Sequence, residues 1–152
     1  MNLKHHHLPA LLAITLSCAM PPAHAHGPVY LGEFSSIVQS KDSEDCDGYA
    51  VRLWRLKQLR GADRIIGTYV HADGPCDQPA TPLYNVQYSP TTGRLRFTAP
   101  GAAESIRETN QFSGILGAAS LQGKFTSINL DQPDVPAAAV AVTLKRQPAA
   151  SH

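Results

Sequence analysis

The sequence predicts an all-β fold: a single antiparallel meander of about eight strands closed into a small barrel, with a β-sandwich as the alternative. Twelve prolines and eleven glycines punctuate the 152 residues at short intervals and leave runs of strand length between them. Several runs alternate apolar and polar residues, as half-buried strands do. The connections are short, and closing a meander hides its edges. The domain is expected to occupy residues 26–146, followed by a polar tail at 147–152.

The first four predicted strands lie between residues 29 and 88. They are Val29–Ser36, Tyr49–Leu59, Arg64–Ala72 and Leu83–Tyr88. The second and third flank the turn sequence Arg60–Asp63 and are expected to form a hairpin. In the fourth, apolar and polar residues alternate, which predicts that Tyr84 and Tyr88 share a face.

The last four predicted strands lie between residues 94 and 146. They are Arg94–Ala99, Gln111–Gly117, Leu121–Ile128 and Ala138–Arg146. The first of them shows the clearest alternation, with Leu95 and Phe97 on one face and charged or polar residues on the other. The middle two are separated by three residues and form a second hairpin. The last places Val140 and Val142 on one face.

Residues 1–25 have the organisation of a cleaved secretory signal peptide. Lys4 precedes an apolar stretch, Leu8–Met20, which is shorter than the roughly 20 residues needed to cross a membrane. Small residues, Ala23 and Ala25, stand where signal peptidase reads them, so cleavage is expected before His26. The product is predicted to be periplasmic or secreted.

Lipid anchoring is the alternative form of export. The segment Ile14–Cys18 resembles a lipobox, and processing there would attach the protein to a membrane through Cys18. No later segment is apolar for long enough to span a bilayer, so no transmembrane segment is expected after the signal is removed.

Cys46 and Cys76 are the two cysteines that follow the signal peptide. An even pair in an exported protein indicates a disulfide. The register of the predicted hairpin gives independent support, because a turn at Arg60–Asp63 places the two cysteines nearly opposite each other. A Cys46–Cys76 disulfide is therefore predicted.

Charge and motif content narrow the function classes. Without Lys4, which the signal removes, the chain has twelve basic and twelve acidic residues; this balance argues against nucleic-acid binding and against a polybasic membrane binder. No motif for nucleophilic catalysis, phosphate binding or a cofactor is present. The prediction is a non-catalytic binding or interaction module, without a cofactor, whose partner is an unidentified protein or small ligand.

Two alternative functions stay open. In the first, Trp54, Tyr84 and Tyr88 line the mouth of a barrel that carries a small apolar ligand. In the second, cleavage makes His26 the first residue, and its amino group and imidazole bind copper with His71 as a further ligand. The His26–Gly27 start resembles that of copper-dependent polysaccharide oxygenases, and this resemblance implies a copper-binding protein or enzyme.

Overall fold

The computed structural model describes residues 27–58, 60–101, 107–132, 134, 135 and 137–148. The predicted signal peptide, Cys18, His26 and the end of the predicted tail lie outside these residues. The described strands are β1 (Val29–Ser35), β2 (Val38–Gln39), β3 (Cys46–Leu56), β4 (Arg64–Gly74), β5 (Thr81–Pro82), β6 (Tyr84–Tyr88), β7 (Arg94–Pro100), β8 (Glu108–Leu116), β9 (Ser120–Asn129) and β10 (Ala138–Arg146). Within this described part, no helix has the length and apolarity needed to cross a bilayer.

The strands form one antiparallel sheet that curves almost completely into a barrel. Their order is β5-β4-β3-β1-β10-β9-β8-β7-β6, and β2 pairs with the start of β3. Only Leu83 separates β5, which pairs with β4, from β6, which pairs with β7. Taken as one bent strand, β5 and β6 complete a barrel of eight strands. The predicted all-β meander and barrel are confirmed.

The seam between β4 and β6 stays unsealed. The Leu83 amide donates to the Gly67 carbonyl at 2.9 Å. Beyond Leu83, none of the described residues of β6 pairs with β4.

The barrel has two ends. The end where β3 starts and β4 finishes is called the disulfide end, and the end at the β3–β4 hairpin is called the hairpin end.

Aromatic and aliphatic side chains fill the centre of the barrel, as expected for eight strands. The buried core consists of Phe34, Val51, Leu53, Ile65, Tyr69, Leu95, Phe97, Ala99, Phe112, Leu121, Phe125 and Leu144. The ring of Phe112 lies over two paired glycines, Gly114 and Gly123. A Cβ on Gly114 would lie 2.5 Å from that ring, so the close approach of ring and backbone requires glycine there.

The predicted disulfide is confirmed, although the hairpin register differs from the expected one. Cys46 is paired with Gly74 rather than with Cys76, because the β3–β4 connection covers residues 57–63 and is longer than the predicted turn. Cys76 lies just past the end of β4, with its Cα 4.9 Å from that of Cys46. The bridge therefore joins the start of β3 to the loop after β4.

The prediction that Tyr84 and Tyr88 share a face is wrong. Tyr84 is paired with Thr98, whereas Tyr88 is paired with Leu95; three positions on β7 thus correspond to four on β6. This extra residue is a β-bulge, and Asn85 within it has a positive φ of 50°. A one-residue shift turns a side chain to the other face of the sheet, so Tyr84 points outward and Tyr88 inward.

A short ladder between β1 and β10 joins the two halves of the barrel. Ser35 is paired with Lys145, and Phe34 with Arg146. The Arg146 guanidinium donates to the Leu31 carbonyl at 2.7 Å, and it lies 4.9 Å above the Phe34 ring. Past Ser35 the chain continues along β3 as β2 in the same register, and only Lys145 and Arg146 of β10 have a β1 residue beside them.

Candidate functional site

The charges that cancel in the composition are separated between the two ends of the barrel. At the disulfide end, nine acidic residues of the described part of the chain accompany two basic ones: Asp42, Glu44, Asp45, Asp47, Asp73, Asp77, Glu108, Asp131 and Asp134 with Lys41 and Arg107. At the hairpin end, seven basic residues accompany one acidic one: Arg55, Lys57, Arg60, Arg64, Arg94, Lys145 and Arg146 with Asp63. A chain of balanced composition therefore has an acidic end and a basic end.

The inner face of the β3–β4 ladder changes from apolar to acidic as it approaches the disulfide end. Tyr49 is opposite His71. The next pair whose side chains face the inside of the barrel, one step closer to the disulfide end, is Asp47 opposite Asp73. Residues directly opposite each other in a ladder share a face. The two aromatic rings thus lie between the apolar core and two carboxylates at the rim.

A cleft opens at this rim. It has a volume of about 430 Å³ and is lined by Val38, Ser40, Asp45, Cys46, Asp47, Asp73 and Gly74. Like charges across a ladder destabilise the folded state. The Asp47 and Asp73 side chains are both exposed at this rim, so solvent screens their mutual repulsion.

Tyr49 forms the middle of a stack of rings below the rim. Its ring centroid is 4.7 Å from that of His71 and 4.6 Å from that of Phe125, with interplanar angles of 16° and 29°. Tyr69 lies behind this stack, 5.4 Å from Phe125. Such aromatic pairs contribute about 0.5–1.5 kcal/mol each beyond the area they bury, so the stack holds the floor of the site in place.

Three buried polar atoms at this end have no hydrogen-bond partner among the described residues. They are Tyr69 Oη, His71 Nδ1 and Asn110 Nδ2. Tyr69 and Asn110 are each only 2% exposed. The carbonyl oxygen of the Asn110 side chain does have a partner, since Oδ1 accepts a hydrogen bond from Ser127 Oγ at 2.6 Å. Buried polar groups are usually paired, and each exception calls for an explanation.

Burial and neighbouring carboxylates keep both phenols of the site neutral. Burial raises the pKa of Tyr49, and Asp47, Glu108 and Asp73 raise it further. Burial is also the main reason that the pKa of Tyr69 lies far above its ordinary value, with smaller contributions from Tyr49 and Glu108. The negative field at this end thus reaches the rings beneath the rim. The group formed by Tyr49, Tyr69, His71 and Asn110 with the carboxylates of Asp47, Asp73 and Glu108 is called the polar mouth.

The structure places only one of the predicted site residues in the polar mouth. His71 lies there, while its predicted copper partner His26 is outside the described residues. Across those residues, no three His, Cys, Asp or Glu side chains come close enough together to hold a metal ion. Trp54 packs on the outer face against Tyr30, with ring centroids 5.5 Å apart. Because Tyr84 also points outward and Tyr88 inward, the three predicted ligand residues do not share one face.

A scan against protein-family models, a search of curated proteins and a search of solved structures each return no match to this chain.

Replacing Tyr69 by phenylalanine is expected to leave the free energy of unfolding at neutral pH unchanged or to raise it by up to about 1 kcal/mol, because the lost hydroxyl has no partner. The difference should grow above pH 10. A phenol whose pKa is raised by folding stays protonated while the unfolded chain ionises, so its contribution is complete below pH 10 and is lost as the pH rises. Urea unfolding between pH 7 and pH 11 measures both effects.

Tyr84→Phe is the matched control, because it removes the hydroxyl of a side chain that is 51% exposed. Its unfolding free energy should follow that of the wild type at every pH. A loss of more than about 1 kcal/mol in Tyr69→Phe at neutral pH would show that the Tyr69 hydroxyl is hydrogen-bonded.

Proposed function

We propose that this protein is a non-catalytic binding module whose polar mouth binds an organic ammonium group, carried by a small amine or by a lysine side chain. The observation that supports this most is the position of Asp47 and Asp73, which lie directly opposite each other in the β3–β4 ladder, two residues beyond the Tyr49–His71 pair. Two neighbouring carboxylates form an environment that favours a cation.

The chemistry of an ammonium group matches the groups of the polar mouth. It carries three N–H donors and no acceptor. The carboxylates of Asp47 and Asp73 accept such donors. A bound ammonium group would also offset the repulsion between the two carboxylates.

The unpartnered polar atoms lie beneath the cleft rather than in its wall. Tyr69 Oη and His71 Nδ1 are available for hydrogen bonding, and Asn110 Nδ2 is a donor without an acceptor. A ligand with a hydroxyl or carbonyl oxygen near its amine would supply that acceptor. Leaving a buried donor without a partner costs about 1–3 kcal/mol, so these atoms favour a polar ligand.

The two alternatives stay as predictions. An apolar ligand would have to displace the side chains that fill the barrel centre, so the polar mouth is the better supported binding site. Copper binding depends on cleavage before His26. The proposal includes export, to the periplasm or the exterior or to a membrane through Cys18, and a disulfide is compatible with such an oxidising compartment.

Titration calorimetry with 1,4-diaminobutane and with a lysine-containing peptide tests the proposal, and it also distinguishes a free amine from a lysine side chain. Binding should weaken with rising ionic strength. The double variant Asp47→Asn/Asp73→Asn should bind at least about tenfold more weakly, since a single charge-assisted hydrogen bond contributes on the order of 1.5–3 kcal/mol.

Asp42→Asn/Asp77→Asn is the matched control, because it removes the same charge from exposed positions at the same end of the barrel. It should bind like the wild type. Equal weakening in both double variants would show that the effect comes from the overall charge and not from Asp47 and Asp73. If neither probe gives a heat of binding, the ammonium site is refuted.

A further inference from the structure

Among the residues that the structure describes, nothing pairs with one edge of β10 along most of its length. On one side, Ala138–Lys145 pair with β9. On the other, the ladder with β1 covers only Lys145 and Arg146. The side chains along the open part are exposed as well: Val140 points to the inner face of the sheet and is still 50% exposed.

The backbone groups that face this gap follow from the hydrogen bonds at its end. In an antiparallel ladder, alternate residues bond to opposite neighbours. The Gln147 amide donates to the Glu33 carbonyl at 2.8 Å, beside β1, whereas the Arg146 amide donates to the Ala119 carbonyl at 2.9 Å, beside β9. Odd-numbered residues therefore face the gap, and Ala139, Ala141 and Thr143 have no backbone partner there among the described residues.

This edge lacks the features that usually protect an exposed strand. Natural edges are interrupted by charged side chains, prolines or bulges. Residues 138–143 contain only alanine, valine and threonine, and their pairing with β9 has no register shift. An uncharged, regular edge is suited to pairing with another strand.

We propose that a second copy of this chain occupies the gap, with β10 of each copy pairing antiparallel to β10 of the other around a two-fold axis. Such pairing keeps the inner faces of both sheets on the same side, so even-numbered residues must lie opposite even-numbered ones. We place the axis at Val140, one of the registers that meet this condition, so that Ala139 of each copy exchanges hydrogen bonds with Ala141 of the partner subunit.

The charge separation of the barrel selects this arrangement. Two barrels that lie side by side and antiparallel place the acidic disulfide end of one copy next to the basic hairpin end of the other. Lys145 follows the open edge and Asp134 precedes it, so antiparallel pairing brings Lys145 toward Asp134 of the partner subunit. A parallel arrangement would place like charges together, and a partner of another sequence has no such built-in complementarity.

Sedimentation velocity of the full mature protein, from micromolar to millimolar concentration, tests the proposal. The wild type should sediment as a dimer that weakens as the salt concentration increases. Ala141→Pro removes an N–H that faces the gap and leaves the pairing with β9 intact, so it should be monomeric with an unchanged far-UV circular dichroism spectrum. Ala141→Lys should also be monomeric, and it keeps the test valid if the proline variant does not fold.

Gln122→Lys is the matched control, since it adds the same charge to an exposed position of β9, and it should remain dimeric. Hydrogen exchange should show that the amides of Ala139 and Ala141 become protected as concentration rises. A wild type that stays monomeric throughout would overturn the proposal, and so would a folded Ala141→Pro dimer. A monomer that instead accepts an unrelated extended peptide at β10 would overturn the assignment of a second copy.

Discussion

Replacing Cys46 and Cys76 together by alanine is expected to lower the free energy of unfolding by about 3–4 kcal/mol. The bridge closes a loop with a sequence separation of 30 residues, and removing it restores the conformational freedom of that loop in the unfolded chain. The cost is also local, because the side chain of Cys46 is buried. Urea unfolding of the variant and of the oxidised wild type measures the difference.

Wild-type protein unfolded in the presence of a reducing agent is the control, since it keeps both side chains and loses only the bond. It should show most of the same loss. A change of less than about 1 kcal/mol in either sample would mean that the unfolded chain is already restricted by other contacts.

Phe125→Ala is expected to lower the free energy of unfolding by about 3–5 kcal/mol, the range for truncating a buried phenylalanine. Phe125 is 2% exposed, and its ring centroid lies 4.6 Å from that of Tyr49, 5.4 Å from Tyr69 and 5.1 Å from Phe112. Removing it leaves a cavity at the junction between the core and the polar mouth. Thermal and urea unfolding report the loss.

Phe125→Leu is the matched variant, because it keeps most of the side-chain volume, and it should cost less than about 1.5 kcal/mol. Val140→Ala provides a comparison across the ladder: Val140 is paired with Phe125 but is half exposed. It should cost well under half as much as Phe125→Ala. Equal losses at the two positions would contradict the assignment of Phe125 to the core.

The architecture was predictable because it depends on local patterns. Alternation along Arg94–Ala99 and Ala138–Arg146 identifies strands with one buried face, and short connections make neighbours pair. The register was less predictable, because no residue marks where the β3–β4 hairpin turns within residues 57–63. The bulge at Asn85 was missed for a similar reason: a single extra residue leaves no trace in an alternating segment.

The polar mouth could not be assembled from the sequence. Tyr49 and Tyr69 alternate like ordinary core residues, and their role depends on which residues lie across the ladder from them. Asn110 precedes the predicted start of its strand, so nothing marked it as buried. Only the charge near the disulfide end has a visible signal, in the acidic run at residues 42–47.

The β1–β10 ladder determines when the barrel can be completed during synthesis. Phe34 needs Arg146 beside it, and the Glu33 carbonyl needs the Gln147 amide. These partners belong to the first and the last of the described strands and their flanks. A growing chain can form the β3–β4 and β8–β9 hairpins early, but it holds an open sheet until β10 has been made. Closure of the barrel is therefore a late step in folding, and the open sheet must be kept from aggregating until then.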